Sequence, residues 1–147
     1  MVREAQAADL DRLAVLFDQY RQFYGKSSDE TGSRTFLEER VNKQDSVIYV
    51  FENEEGKLTG FTQLYPIFSS TRMKRMWLLN DLFVSKEYRG LGMSKALIKK
   101  AQENARSTGA CSIMLETGKE NHIGNKLYPS MGFEAMDTVT FFEWDAL

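Results

Sequence analysis

Between Arg72 and Leu115 the chain passes through a long apolar stretch, a glycine-bearing turn, an amphipathic segment and a second short apolar stretch. Few folds accommodate that succession. In the first stretch, Arg72 to Val84, the residues Met76, Trp77, Leu78, Leu79, Leu82 and Phe83 place apolar side chains on both faces. Such a strand is covered on both sides and lies centrally in its sheet. The turn, Tyr88 to Gly92, opens a helix from Met93 to Arg106, with Met93, Ala96, Leu97, Ala101 and Ala105 along one face and Gly109 just past its end. Cys111 to Leu115 is the next strand, and the intervening helix makes it parallel to the long one.

The flanking segments complete a mixed α/β pattern. Val2 to Ala5 is a short strand leading into a helix opened by Asp9, where Leu10, Leu13, Ala14, Phe17, Tyr20 and Tyr24 recur at helical spacing. Gly25 to Ser28 breaks it, and Ser28 or Asp29 caps a second helix carrying Phe36, Leu37, Arg40 and Val41. Ser46 to Phe51 is β-branched and aromatic, hence a strand. Glu52 to Lys57 is a polar hairpin connection, and Leu58 to Tyr65 returns as its partner, with Pro66 helping to end it. Asn121 to Tyr128 is a short helix, and Phe133-Glu134 with Val139 to Trp144 are expected to finish the sheet. The expectation is one domain over residues 1–147, an α/β fold with a mixed, mostly antiparallel central sheet and helices on both faces.

Composition removes several classes of function. A net charge of −2 does not suit an electrostatic nucleic-acid binder. The N-terminus lacks the order of a secretory signal, and no apolar run approaches the ~20 residues of a membrane span. One cysteine, Cys111, and one histidine, His122, make neither an internal disulfide nor a familiar zinc site. The expected setting is the reducing cytoplasm, with no metal, nucleic-acid or membrane partner.

The turn itself points to an anion. Arg89-Gly90-Leu91-Gly92-Met93-Ser94 stands between a strand and a helix, where glycines permit a tight turn and the first N–H groups of the helix have no carbonyl partner. Residues 86–100 carry five basic side chains (Lys86, Arg89, Lys95, Lys99, Lys100) against Glu87 alone. A P-loop would need Gly-Lys-Ser/Thr where Gly92-Met93-Ser94 stands, and a dinucleotide fold would place its glycines after the first strand. A glycine-rich connection that binds nothing is the plain alternative.

Two segments resemble the signatures of the GCN5-related N-acetyltransferase (GNAT) superfamily. Asn80 to Ser94 is similar to its acetyl-CoA signature, a strand followed by Arg/Gln-x-x-Gly-x-Gly/Ala. Asn121-x-x-Gly124-x-x-Leu127-Tyr128-x-x-x-Gly132-Phe133 is similar to its second, Asn-x-x-Ala-x-x-Leu-Tyr-x-x-x-Gly-Phe. The resemblance implies that backbone N–H groups of Arg89, Gly90, Leu91, Gly92, Met93 and Ser94 hold the pyrophosphate of acetyl-CoA. It implies that Leu82, Phe83 and Val84 pair with the pantetheine arm where two parallel strands splay, that Asn121 hydrogen-bonds the cofactor, and that Tyr128 stands near the sulfur. Three positions depart from the family pattern: Ser94 for Gly or Ala, Gly124 for Ala, and Pro129 directly after Tyr128, which is expected to end or kink the helix there.

Acetyl transfer to an amine by direct attack in a ternary complex needs an aligned thioester, a neutral amine and a protonated leaving thiolate. Tyr128 is the candidate acid for the thiolate, against a plain reading as a packed aromatic. A backbone N–H near Phe83 or Val84 is the candidate to polarise the thioester carbonyl. Asp81 and Glu116, at the ends of the parallel strands, are the candidate bases; exposed carboxylates are common in such places. By the resemblance, the acceptor is walled by the first two helices, where Tyr20, Phe23, Tyr24, Asp29 and Glu30 suit a small cationic amine such as a polyamine or an amino acid. Protein lysine or N-terminal acetylation, and acetyl-CoA binding without turnover, are the competing functions. Exposed apolar residues Phe141, Phe142 and Trp144 lead to the expectation of a homodimer.

Overall fold

The computed structural model describes residues 1–147, which cluster into two compact units, 1–116 and 117–147. The first holds β1 (Val2–Glu4), α1 (Leu10–Phe23), α2 (Glu30–Lys43), β2 (Val47–Glu52), β3 (Leu58–Ser69), β4 (Lys74–Val84), α3 (Met93–Ser107) and β5 (Ile113–Met114). The strands follow the order β1-β2-β3-β4-β5, antiparallel throughout except for the parallel pair β4–β5. This is the expected mixed sheet, but β3 is its central strand; β4, expected there, lies next to the edge, with only the two-residue β5 beyond it.

Side-chain alternation divides the core. Leu10, Leu13, Leu16 and Phe17 of α1 and Leu37 of α2 pack with Ile48, Val50, Phe61 and Phe83 on one face of the sheet. On α3, Leu97, Ile98 and Ala101 are fully buried, and the Tyr49 hydroxyl hydrogen-bonds Asn104 Oδ1 of that helix at 3.1 Å. Asp29, not Ser28, caps α2: its Oδ1 accepts from the Gly32 N–H at 2.8 Å.

Two departures within this unit have local causes. Strand β3 runs through Pro66 to Ser69 instead of ending at the proline. Beyond Leu64 it has only β4 beside it, so the missing N–H of Pro66 lies on an edge where it breaks no ladder on the β2 side. The strand expected over Cys111 to Leu115 keeps a ladder only at Ile113 and Met114, opposite Trp77 and Leu78. From Leu79 to Val84, β4 is paired on its β3 side alone.

The second unit contains α4 (His122–Ser130). Pro129 does not stop it at Tyr128. The proline sits in the last turn, where little of the helical ladder remains to be lost. The end comes at Gly132, with φ +87°, where the Gly132 N–H bonds Pro129 O at 3.0 Å and the Phe133 N–H bonds Tyr128 O at 3.1 Å. That is a Schellman closure, which requires a left-handed residue. Phe133-Glu134 and Val139 to Trp144 form no strand, contrary to expectation, and Phe141, Phe142 and Trp144 are exposed. A β-rich stretch is stable as a strand only with a ladder partner, and these residues have none. No helix is long and apolar enough to cross a membrane, and no group of three or more His, Cys, Asp or Glu side chains is placed to hold a metal.

Candidate active site

The register of β3 against β4 slips by one residue: Gln63 pairs with Asp81, but Leu64 pairs with Leu79, leaving Asn80 as a bulge. A bulge of this kind re-aims the side chains on either side of it. Asp81 keeps the alternation of Phe83, and Gln63 that of Phe61, so both point to the α1 face. Leu79, matched to Leu64, turns to the opposite face. The bulge thereby brings a carboxylate under α1, on the face that Phe83 shares.

Asp81 is 4% exposed. Gln63 Nε2 donates to its Oδ2 at 2.9 Å, Asn80 Nδ2 to its Oδ1 at 3.1 Å, and the Tyr20 side chain adds a third hydrogen bond. Burial pushes the carboxyl above its ordinary pKa, and the three neutral donors only partly oppose that. Over it lies an aromatic cluster. The Tyr20 ring meets Tyr24 at 5.1 Å, Phe61 at 5.6 Å and Phe83 at 6.1 Å, and Phe23 meets Tyr24 at 5.3 Å. Tyr24, exposed at the rim, has its phenol pushed up by desolvation and then by the Asp81 charge. The expected acceptor wall of Tyr20, Phe23 and Tyr24 therefore converges with one of the two expected bases. Asp29, also expected at the acceptor, is occupied as the α2 cap. Glu116 is exposed, two residues beyond β5.

The glycine turn continues from the same strand. Gly90 and Gly92 adopt φ +79° and +80°, a left-handed backbone that costs other residues about 1 kcal/mol, and a Cβ on either would stand in open space. The first helical bond, Ala96 N–H to Gly92 O at 3.1 Å, leaves the N–H groups of Met93, Ser94 and Lys95 without a carbonyl inside the helix. No acid lies in that first turn. The donor set fits a pyrophosphate. One feature had no sequence signal: Arg89 folds its side chain back, donating Nε to Val84 O at 3.0 Å, with its guanidinium 5.4 Å from the Phe23 ring and 5.6 Å from Phe83.

In the second unit the residues of the other signature serve one another. Asn121 Oδ1 accepts from the Gly124 N–H at 3.0 Å and its Nδ2 donates to Thr117 Oγ1 at 3.0 Å, capping α4. A Cβ on Gly124 would come within 2.7 Å of Asn121 Nδ2, so alanine there would require the Asn121 amide to shift. The Tyr128 and Phe133 rings lie 5.9 Å apart, the contact that accompanies the helix closure. His122 is exposed at the start of the helix.

Residues 13–133 match the model of the acetyltransferase (GNAT) family. An uncharacterized N-acetyltransferase of Bacillus subtilis (strain 168), YhfO, is 42% identical over 133 residues, covering 90% of this chain and 89% of the relative. Streptothricin acetyltransferase A of the same organism is 30% identical over 126 residues, covering 76% and 73%. A crystal structure of a probable acetyltransferase superposes with a TM-score of 0.95 at 38% identity, covering 100% of this chain and 98% of the other. A family match over residues 13–133 and a relative 42% identical over most of both chains show that the chain belongs to the GNAT family and is an N-acetyltransferase.

Proposed function

We propose that residues 1–147 act as one domain that transfers the acetyl group of acetyl-CoA to a primary amine of a small molecule, polyamine- or amino-acid-like, by direct attack in a ternary complex. The observation that carries the acceptor class is Asp81: a buried carboxylate with no cationic partner, roofed by Tyr20, Tyr24 and Phe23. Negative charge beneath aromatic faces favours an ammonium group over a neutral or anionic one. The B. subtilis relative named for streptothricin supports a small acceptor over a protein one.

The N–H groups from Gly90 to Ser94 hold the pyrophosphate, that of Arg89 being turned to Lys86 O, and Leu82, Phe83 and Val84 lie on the β4 edge that β5 leaves open to the pantetheine arm, where the Val84 carbonyl is held by Arg89 Nε. The role of Asn121 toward the cofactor rests on the family resemblance; its amide gives one hydrogen to Thr117 and has a second. Acetyl-CoA supplies a thioester whose C–S bond breaks as the C–N bond forms. An ammonium substrate gives one proton to Asp81 by way of the Tyr20 hydroxyl. Its second proton, released on C–N bond formation, ends on the departing thiolate, with Tyr128 the acid that the family resemblance assigns to that transfer. A carboxyl raised by burial is a stronger base than an ordinary one, so Asp81 is preferred to the exposed Glu116.

Thiol release from acetyl-CoA, measured across polyamines, amino acids, aminoglycosides and lysine peptides, tests the reading. Turnover confined to small cationic amines is expected. Turnover with peptides alone would replace it by protein acetylation, and saturable acetyl-CoA binding without release in any mixture would replace it by a binding module.

A further inference from the structure

Gln63 is fully buried in the middle of β3, a costly place for an amide unless both of its ends are used. Both are. Ser46 Oγ, just before β2, donates to Oε1 at 2.9 Å, and Nε2 donates to Asp81 Oδ2 at 2.9 Å. The two contacts agree on one amide orientation, because a turned amide would set its oxygen against the carboxylate. On the same residue, the neighbouring Thr62 Oγ1 donates to Asp81 O at 2.8 Å, fixing the backbone below the carboxylate.

We infer that Gln63, oriented by Ser46, is a positioning residue: it holds the Asp81 carboxylate with one oxygen turned away from the sheet toward Tyr20. The inference rests on the assignment of Asp81 as base under the proposed function. Gln63 touches neither substrate nor cofactor and acts only through Asp81. The groups facing that carboxylate are Tyr20 from α1, Tyr24 just past its end, Gln63 and Tyr65 from β3, and Asn80 from β4 itself. The Tyr65 phenol is pushed up by desolvation and then by Asp81, with Arg40 opposing and Asp45 adding. No lysine or arginine bears on Asp81 directly, so its hold on the charged form depends on neutral donors, and losing one of three is felt.

The test is titration of Asp81 by carboxyl ¹³C NMR, its signal assigned with Asp81→Asn, in wild type, Gln63→Met and Ser46→Ala. Loss of one hydrogen bond to a charged group raises the midpoint by about one pH unit in Gln63→Met, and by less in Ser46→Ala, where the amide stays but its orientation is freed. The acid limb of kcat/KM moves up by the same amount. A folded Gln63→Met with an unmoved midpoint overturns the inference and leaves Gln63 as packing. If that variant does not fold, an unmoved midpoint in Ser46→Ala overturns it. A moved midpoint with an unmoved limb upholds the grip of Gln63 on Asp81 and removes Asp81 from the base role of the proposed reaction.

Discussion

Asp9 and Asp81 are both shut away from water, 2% and 4% exposed, yet their surroundings treat the charge in opposite ways. Asp9 receives a bidentate Arg3 (2.7 and 2.9 Å), Arg12 at 2.6 Å and the Gln6 N–H at 2.8 Å, and Glu52 binds the same two arginines from β2. The Arg3 hydrogen bonds hold its carboxyl far below the usual range despite burial. Asp81 has neutral donors only and rises. The first arrangement ties β1, the turn at Ala7–Asp9, α1 and the β2 hairpin end into one latch. The second leaves a carboxylate that gains by taking a proton. Compensated burial stabilises a fold; uncompensated burial stores reactivity, at a cost in stability.

The largest expected effect breaks the comparison at its reactive end. Asp81→Asn lowers kcat/KM about 100-fold or more through loss of the base, while the melting temperature holds or rises. The sign follows from linkage. An acid whose folded pKa is raised weakens the folded state once it ionises, so Asp81 costs stability as pH climbs through its folded value, and asparagine removes that cost. Catalysis runs the other way, with kcat/KM increasing with pH along a limb set by Asp81. A variant with full activity and unchanged pH profile would return the base role to Glu116 or to water.

Next comes Asp9→Asn, with the converse signature: about 2 kcal/mol less stability, a fall of about 6 °C, and kcat/KM unchanged. Asp9 has a depressed folded pKa, so its contribution is present above the ordinary carboxylate pKa of about 4 and is lost as pH drops below it. Thermal melts across the acid range should therefore lose their slope in the variant. If activity falls with stability under conditions where the variant is fully folded, the latch reaches the site and the two regions are not independent.

How much of this was legible beforehand differs between the fold and the site. Helical spacing of apolar residues placed α1 and α3, and β-branched, aromatic or continuously apolar runs placed β2 and β4, because those patterns follow from which faces are buried. The glycine turn stood out by its place between a strand and a helix; Asp81 was legible only as one of two strand-end carboxylates, a kind commonly exposed, and its burial was not. Pro66 misled because whether a proline faces an edge depends on where β2 ends, which is a pairing fact. The bulge at Asn80 leaves no letter of its own; it is a slip in register between strands 18 residues apart. Gln63 and Ser46 became functional only through that pairing, although an amide amid Phe61, Thr62 and Leu64 was a visible anomaly. The residues after Gly132 carry β-prone letters with no ladder to join.

Asp18 sharpens the comparison as an intermediate case. It is 2% exposed, with Asp29 N–H and Ser28 Oγ at 2.7 Å, Gln22 Nε2 at 2.9 Å and Arg21 at 3.3 Å. Burial opposes its charge, but these donors, Asp29 first, outweigh it and the pKa is lowered. It belongs with Asp9, but it pins the α1–α2 loop that carries Tyr24 and Asp29. Asp18→Asn should cost about 1 kcal/mol and raise the acceptor KM about threefold with kcat held, read from steady-state kinetics with acetyl-CoA saturating. A fall in kcat instead would place the loop in the chemical step.

The smallest effect separates the two arginines of the latch. Arg3 forms the fork and is three-quarters buried at its side chain, whereas Arg12 is 45% exposed and shares itself between Asp9, Glu52 and Gly56 O. An exposed ion pair is screened by salt and loses little on removal, while a fork on a buried carboxylate leaves that carboxylate unpaired. Arg12→Ala should therefore cost about 0.5 kcal/mol in dilute buffer and less in high salt, with the acid slope of stability intact because Arg3 still holds Asp9. Arg3→Ala should cost several times more and flatten that slope. Equal losses from the two variants, read from melts at low and high salt, would mean that Asp9 is stabilised by the network as a whole. The contrast with Asp81 would then lie in the presence of any cation at all, not in the geometry of one.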